Sequence, residues 1–331
     1  MTRFRLGLAV VAVLWSGLLL SAGAPQAPAA QGQGQGQVAP AQGGRAGGQP
    51  GVGRQGGGPG GRQGGGGRGA QARPRKALLA WADTRNGQAQ HAFTSHALAV
   101  IERLGYDSGL WDTYIRTVSH IVFNTAQKTD GTPASGGPSL SNVDGIFFLG
   151  HREVPLTDQQ KTELLAWIRS GKGFVAAHTG LTALESWPEF GEMLGATYGG
   201  HLYTGPGQVI SERPDNPIVK HWGSTFAYND EFYRPNKLSR DQVDVLLRFN
   251  PSSAPTSGLP ADGDFPLVWT KMYGQGRVFY SSLSHATEAW DIRNLQIMMF
   301  EAIRWSLGLT EAPVVPHAMT AAPAATAAPA P

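Results

Sequence analysis

From residue 76 onward, short apolar runs alternate with segments in which apolar residues recur every three or four positions. That alternation predicts strands and helices in turn, packed as a mostly parallel sheet covered on both faces. KALLAWAD (76–83) is the first strand. HAFTSHALAVIERLG (91–105) follows as a helix, with Leu98, Ile101 and Leu104 on one face and Gly105 as its stop. HIVFNT (120–125) and VDGIFFLGH (143–151) read as further buried strands. LTDQQKTELLAWIRSGKG (156–173) marks its own ends: Thr157 and Gln160 fit a capping box, Leu164, Leu165 and Ile168 form the apolar face, and Gly171 closes it. With GFVAA after it, 143–177 is a strand-helix-strand unit whose crossover should be right-handed. Two more strands in FPLVWTKMYGQGRVFYSSLSH (265–285) meet at a glycine-rich turn over 273–277, and NLQIMMFEAIRWSLG (294–308) is a long amphipathic helix stopped by Gly308.

The two ends differ from this pattern. Arg3 and Arg5, an uncharged apolar run over 6–20 and small residues after it have the layout of a secretory signal peptide, assigned to 1–29. Export to the periplasm or the exterior is therefore expected. An uncleaved membrane anchor is the alternative, although the apolar run is shorter than the roughly 20 residues of a bilayer span. Residues 31–70 carry 19 of the 45 glycines, so 30–75 should be a disordered linker with almost nothing to bury. The Ala/Pro-rich stretch 311–331 reads as a disordered tail, which leaves a single α/β domain over 76–310.

Charge changes the list of partners. The whole chain is net +3, yet residues 1–76 hold nine Lys/Arg and no Asp/Glu, leaving 18 basic against 24 acidic residues beyond them. A basic tether on an acidic domain argues against nucleic acid and leaves open a membrane or cell-surface contact through the N-terminal segment. With no cysteine there is no disulfide framework and no thiol nucleophile.

Ligands of open α/β sheets settle at the carboxyl ends of strands. The polar residues there are Asp83 and Arg85, His151 and Arg152, His178 and Thr179, and Ser284 and His285. The intervening loop-rich segment adds His201 and Tyr203 in GGHLYTG, and Asp230 and Glu231 in YNDEFY. GKGFVAAHTGLTALESWPEFGEMLGATYGGH (171–201), YNDEFYR (228–234), the 265–285 segment and the closing WSLG (305–308), in that order, resemble the ThuA-like (trehalose utilisation) family. The resemblance implies a flavodoxin-like three-layer sandwich of the class I glutamine amidotransferase type, and it places His178 in or beside the elbow that holds the amidotransferase cysteine. Glutaminase chemistry through cysteine is excluded, because there is none. The family's usual Gly-His is Ser284-His285 here, and its His-Pro is Asn216-Pro217, which makes the latter position a poor candidate for catalysis.

The site expected from these residues has His178 with Asp230 and Glu231 as acid/base groups, an imidazole being suited to proton transfer near neutral pH. On an extended segment only one of Asp230 and Glu231 can face the cleft, and the sequence leaves open which. His201, His285, His91 and Tyr203 are the substrate-binding candidates, with Trp187 and Trp290 as rings that could stack on a sugar. Each has a plain alternative: His178 as a buried histidine satisfied by backbone, His91 as a helix-entry residue, the tryptophans as core. No close pair such as H-x-H or H-E-x-x-H supports a metal, so none is assigned and no cofactor is expected. The leading expectation is an exported protein acting on or binding a carbohydrate, which the family resemblance implies to be a disaccharide or keto-sugar. A tethered, non-catalytic carbohydrate-binding module and a metal-dependent hydrolase are the alternatives; the oligomeric state is not readable.

Overall fold

The computed structural model describes residues 74–85, 90–128 and 130–321. The signal-peptide reading, almost all of the linker and the last ten residues lie outside them. Apolar runs buried on both faces give β1 (Lys76–Trp81), β3 (Gly145–Phe148) and β4 (Gly173–Ala177), with β2 (Trp111–Arg116) at the edge. The helices are α1 (Thr94–Ser108), α2 (Asp158–Arg169), α3 (Pro188–Leu194) and α4 (Arg293–Ser306). Five further strands, β5 (Thr197–Ser211), β6 (Thr225–Asn236), β7 (Asp244–Asn250), β8 (Pro266–Tyr273) and β9 (Gly276–Ser281), complete one sheet in the order β2-β1-β3-β4-β9-β8-β7-β5-β6.

The sheet is mixed, which corrects the expectation of a mostly parallel one. Pairing is parallel from β2 to β9 and antiparallel from β9 through β8, β7 and β5 to β6. Side-chain alternation divides the core. Leu78, Ala80, Phe147 and Val175 pack with α1 and α4, whereas Leu79, Ile146, Phe148 and Phe174 pack with α2 and α3.

The parallel strands end in register, Trp81 beside Phe148, Phe148 beside Ala176 and Ala177 beside Ser281, so the segments that leave them share one rim. From the other half, β5 pairs with β7 only over Gln208–Ser211 but with β6 from Thr197 onward. The free part of this ribbon reaches the same rim.

Several local expectations hold. Thr157 accepts from Gln160 N (3.2 Å) while Gln160 Oε1 accepts from Thr157 N (2.9 Å), closing the capping box, and β8 and β9 meet at the glycine-rich turn. Others need correction. HIVFNT is no strand: Val122 N–H donates to Ser119 O and Phe123 N–H to Ile121 O, so buried apolar side chains anchor turns. α1 passes Gly105 and stops at Gly109, whose φ of 68° suits glycine. Gly105 lies inside the helix because a Cβ there would stand 2.4 Å from Trp111 Nε1. The expected disordered tail is, over 311–321, a strap on the sheet. Ala312 is buried, Trp305 Nε1 donates to Ala312 O (3.0 Å), Val315 N to Asp244 (3.2 Å) and Thr320 N to the buried Glu212 (3.2 Å). Among the described residues no helix is long and apolar enough to cross a membrane.

Candidate functional site

His178 begins where β4 ends. Its φ of 37° turns the chain sharply out of the strand, a conformation that costs a non-glycine residue energy and survives only when its surroundings enforce it. The enforcement is visible. Tyr280 Oη donates to His178 O (3.1 Å), the Tyr233 ring stacks on the imidazole at 4.0 Å, and His178 Nδ1 lies 2.8 Å from Ser282 O. A carbonyl only accepts, so Nδ1 carries a proton; Nε2 offers a lone pair when the ring is neutral and a proton to Glu231 when the ring is an imidazolium. The side chain is fully buried, yet Nε2 faces polar atoms: His285 Nδ1 at 3.0 Å and Glu231 Oε2 at 3.4 Å.

Glu231 comes from β6 and is the acidic neighbour that lines the cavity. Its Oε2 is 3.0 Å from His285 Nδ1 and its Oε1 is 3.5 Å from His201 Nε2. Hydrogen bonding from His178, reinforced by the nearby His285 and His201, holds its carboxyl down at about 2 despite burial. Asp230 points the other way. It is buried and accepts from Ser284 N (2.6 Å), His285 N (3.1 Å) and Glu231 N (3.0 Å), while burial pushes its carboxyl up.

His91 enters from the segment before α1, with its ring 5.5 Å from that of His178 and 5.1 Å from that of His285. Burial first, then the neighbouring histidines, lowers its pKa to about 4, so it is neutral at pH 7. The ligand-type atoms of His91, His178, Glu231 and His285 all lie within 4.8 Å of one another. Donors about 2.0–2.1 Å from a tetrahedral zinc stand about 3.3–3.4 Å apart. The His178–Glu231–His285 edges of 3.4, 3.0 and 3.0 Å are close to that spacing. The four side chains can thus hold a divalent ion, a constellation invisible to sequence spacing because each ligand sits on a different element.

A cavity of about 690 Å³ opens over this cluster, and its walls include His151, Arg152, Glu185, Tyr198 and His201. His151 Nδ1 is 3.0 Å from Thr182 Oγ1, and burial lowers its pKa. Burial likewise raises the hydroxyls of Tyr198 and Tyr233. Tyr233 and Tyr198 were not expected at the site; Tyr233 stands two residues from Glu231 on β6, a spacing that would have found it, whereas a register shift separates Tyr198 from His201 and leaves no such signal.

Three expected contacts are corrected. Trp187 is buried against Phe190, with Lys161 over its ring, and offers no face to a sugar. Trp290 is fully buried, stacked on Phe93, and donates its indole N–H to Ser284 O (3.2 Å). Tyr203 packs on Phe232 and Phe249, its hydroxyl donates to Pro206 O, and it does not line the cavity.

A family model described as ThuA, trehalose utilisation, matches residues 77–306. Among curated proteins none matches this chain. Solved structures similar to this chain include two ThuA-like proteins. A ThuA-like protein from Bacteroides uniformis ATCC 8492 is 21% identical with a TM-score of 0.55, over 70% of this chain and 91% of that one. Another from Parabacteroides merdae ATCC 43184 is 19% identical with a TM-score of 0.54, over 72% and 93%. At these identities the likeness concerns the fold.

Proposed function

Since the chain belongs to the ThuA, trehalose utilisation, family, we propose that it is an exported enzyme acting on a disaccharide or keto-sugar with the help of a divalent cation held by His91, His178, Glu231 and His285. The observation that carries this reading is the convergence of three imidazoles and one carboxylate beneath an open cavity. Three nitrogen donors and one oxygen suit zinc and neighbouring first-row ions rather than calcium or magnesium, which prefer oxygen. The Nδ1–H of His178 on Ser282 O is the outer-sphere bond that fixes a metal-binding histidine's tautomer. An ion held there would supply Lewis-acid polarisation of a carbonyl or hydroxyl oxygen of the sugar. His201, exposed on the ribbon and 3.5 Å from Glu231, is placed to move a proton, and Tyr198 and Arg152 to orient hydroxyls. In this reading His178 and Glu231 are ligands instead of acid and base, and Asp230 stands behind them. Export rests on the sequence layout of residues 1–29.

The binding-module alternative needs exposed aromatic faces, and both candidate tryptophans are buried. The deciding experiment uses protein purified without chelator. Elemental analysis should find close to one first-row ion per chain, and turnover on a panel of disaccharides and their 3-keto forms should vanish on chelation and return with zinc, cobalt or manganese. Turnover untouched by chelator, with no bound ion, would remove the cation from the mechanism.

A further inference from the structure

Ser284 has a φ of 110°, far into the region that side-chain-bearing residues avoid, and it directly precedes the ligand His285. Its hydroxyl does not stabilise this geometry: Oγ is buried and makes no hydrogen bond among the described residues. The restraint comes from outside. Asp230 Oδ2 takes the Ser284 N–H at 2.6 Å and Oδ1 the His285 N–H at 3.1 Å, while the Trp290 indole N–H donates to Ser284 O at 3.2 Å. The same Asp230 Oδ1 also accepts from Glu231 N at 3.0 Å.

We propose that Asp230 and Trp290 are positioning residues that clamp Ser284 in its strained conformation, and that this clamp aims the His285 ring at Glu231 and His178. One carboxylate thereby ties together two ligands that arrive from opposite halves of the sheet, Glu231 on β6 and His285 beyond β9. The inference rests on the reading of these histidines as a metal site, and it concerns their placement. A carboxylate is needed because both N–H groups point at it. An amide at 230 would set its own NH₂ against one of them, a donor facing a donor.

The test is a double-mutant cycle between Asp230→Asn and Ser284→Gly, read by titrating metal-free protein with Co²⁺ and following the visible d–d bands. Asp230→Asn should weaken Co²⁺ binding about 10–100-fold, the usual range for an outer-sphere partner. Glycine accepts a φ of 110° without strain, so the same Asp230→Asn change made in a Ser284→Gly background should cost several-fold less. Trp290→Phe, which keeps an aromatic ring and removes one hydrogen bond, should weaken binding about threefold to tenfold and serves if Asp230→Asn fails to fold. A second readout needs no metal: the ¹⁵N–¹H correlation spectrum of the histidine rings should show the His285 signals displaced in Asp230→Asn and returned toward wild type by Ser284→Gly. If wild type binds no Co²⁺, the metal reading fails while the ring spectrum still judges the clamp. Equal losses in both backgrounds, or His285 signals indifferent to Asp230→Asn, would overturn it.

Discussion

Ion binding at this site should register as global stability. The four ligands come from the segment before α1, the end of β4, the middle of β6 and the turn after β9, so they span both halves of the single sheet and exist as a set only in the folded chain. An ion that binds the native state alone stabilises it by RT ln(1 + [L]/Kd), about 2.7 kcal/mol at one hundred times Kd. For a domain of this size each kcal/mol moves Tm by about 2–4 °C, so saturating Zn²⁺ or Co²⁺ should raise Tm by about 5–11 °C. Glu231→Gln keeps the side-chain volume and removes the only carboxylate of the set. If affinity then falls about 100-fold, the same ion concentration equals Kd, the stabilisation drops to about 0.4 kcal/mol and the shift to about 1–2 °C. Differential scanning fluorimetry on chelator-treated protein, with and without ion, reads both shifts. The comparison of shifts, not of absolute Tm values, cancels whatever Glu231→Gln does to the metal-free fold. Equal shifts in wild type and variant would place the ion elsewhere and refute the ligand assignment.

Metal-free protein should lose stability on acidification. The fold holds His91 near 4 through burial against an unfolded value of about 6.5, so its neutral form's contribution is complete above pH 6.5 and is lost as pH falls toward 4. Glu231, held at about 2 chiefly by its hydrogen bond from His178, acts in the same direction at lower pH, from about 4.5 downward. Tm measured from pH 7 to 4 should fall, and His91→Gln should flatten the upper part of that slope; an unchanged slope would contradict the assignment. The Glu212 side chain is fully buried and meets Arg240 at 2.9 Å and Arg248 at 3.1 Å as well as the strap; Arg240 also pairs with Asp264, so Glu212→Ala leaves the buried Arg248 guanidinium without its carboxylate and should cost about 3–5 kcal/mol in urea unfolding. A loss below about 1 kcal/mol would show that the strap network contributes little. Trp187→Ala should cost about 3–5 kcal/mol as a core truncation while leaving Co²⁺ affinity intact. A selective loss of sugar binding would instead restore it to the site.

His178 and His285 were legible because β4 and β9 are short runs buried on both faces, and whatever follows such a run emerges at the rim. The ribbon was not. Gly199, Gly200, Gly205, Pro206 and Gly207 interrupt β5, its register shifts between Tyr198 and Tyr203, and its outer partner β6 is an edge strand, so no period of two reads cleanly. Losing the ribbon left Glu231 and Asp230 undecided, since alternation says that neighbours diverge but only the position of β9 says which one meets a histidine. HIVFNT erred for the opposite reason. Its apolar residues are buried as expected, but burial of a short run does not distinguish a strand from a turn tucked under the core.

The metal set could not be read because its order in the chain carries no spacing rule, yet the backbone records it in another way. Arg152, His178 and Ser284, each just beyond the end of β3, β4 or β9, are three of the five non-glycine residues with positive φ among those described. Strain gathered at one sheet edge persists only where neighbouring bonds over-determine it. Here protein groups supply those bonds: Ser282 O and Tyr280 fix His178, Asp230 and Trp290 fix the approach to His285, and Arg152 exchanges backbone hydrogen bonds with Thr182 and Leu184. If these bonds suffice, the polypeptide itself sets the histidines' geometry, and ion binding has little backbone left to order. Metal-free and metal-loaded protein should show the same main-chain path over 178–182 and 282–286, with only ring rotations between them. A crystal structure in which either turn relaxes to negative φ on loss of the ion would mean that the ion, and not the polypeptide, sets the geometry.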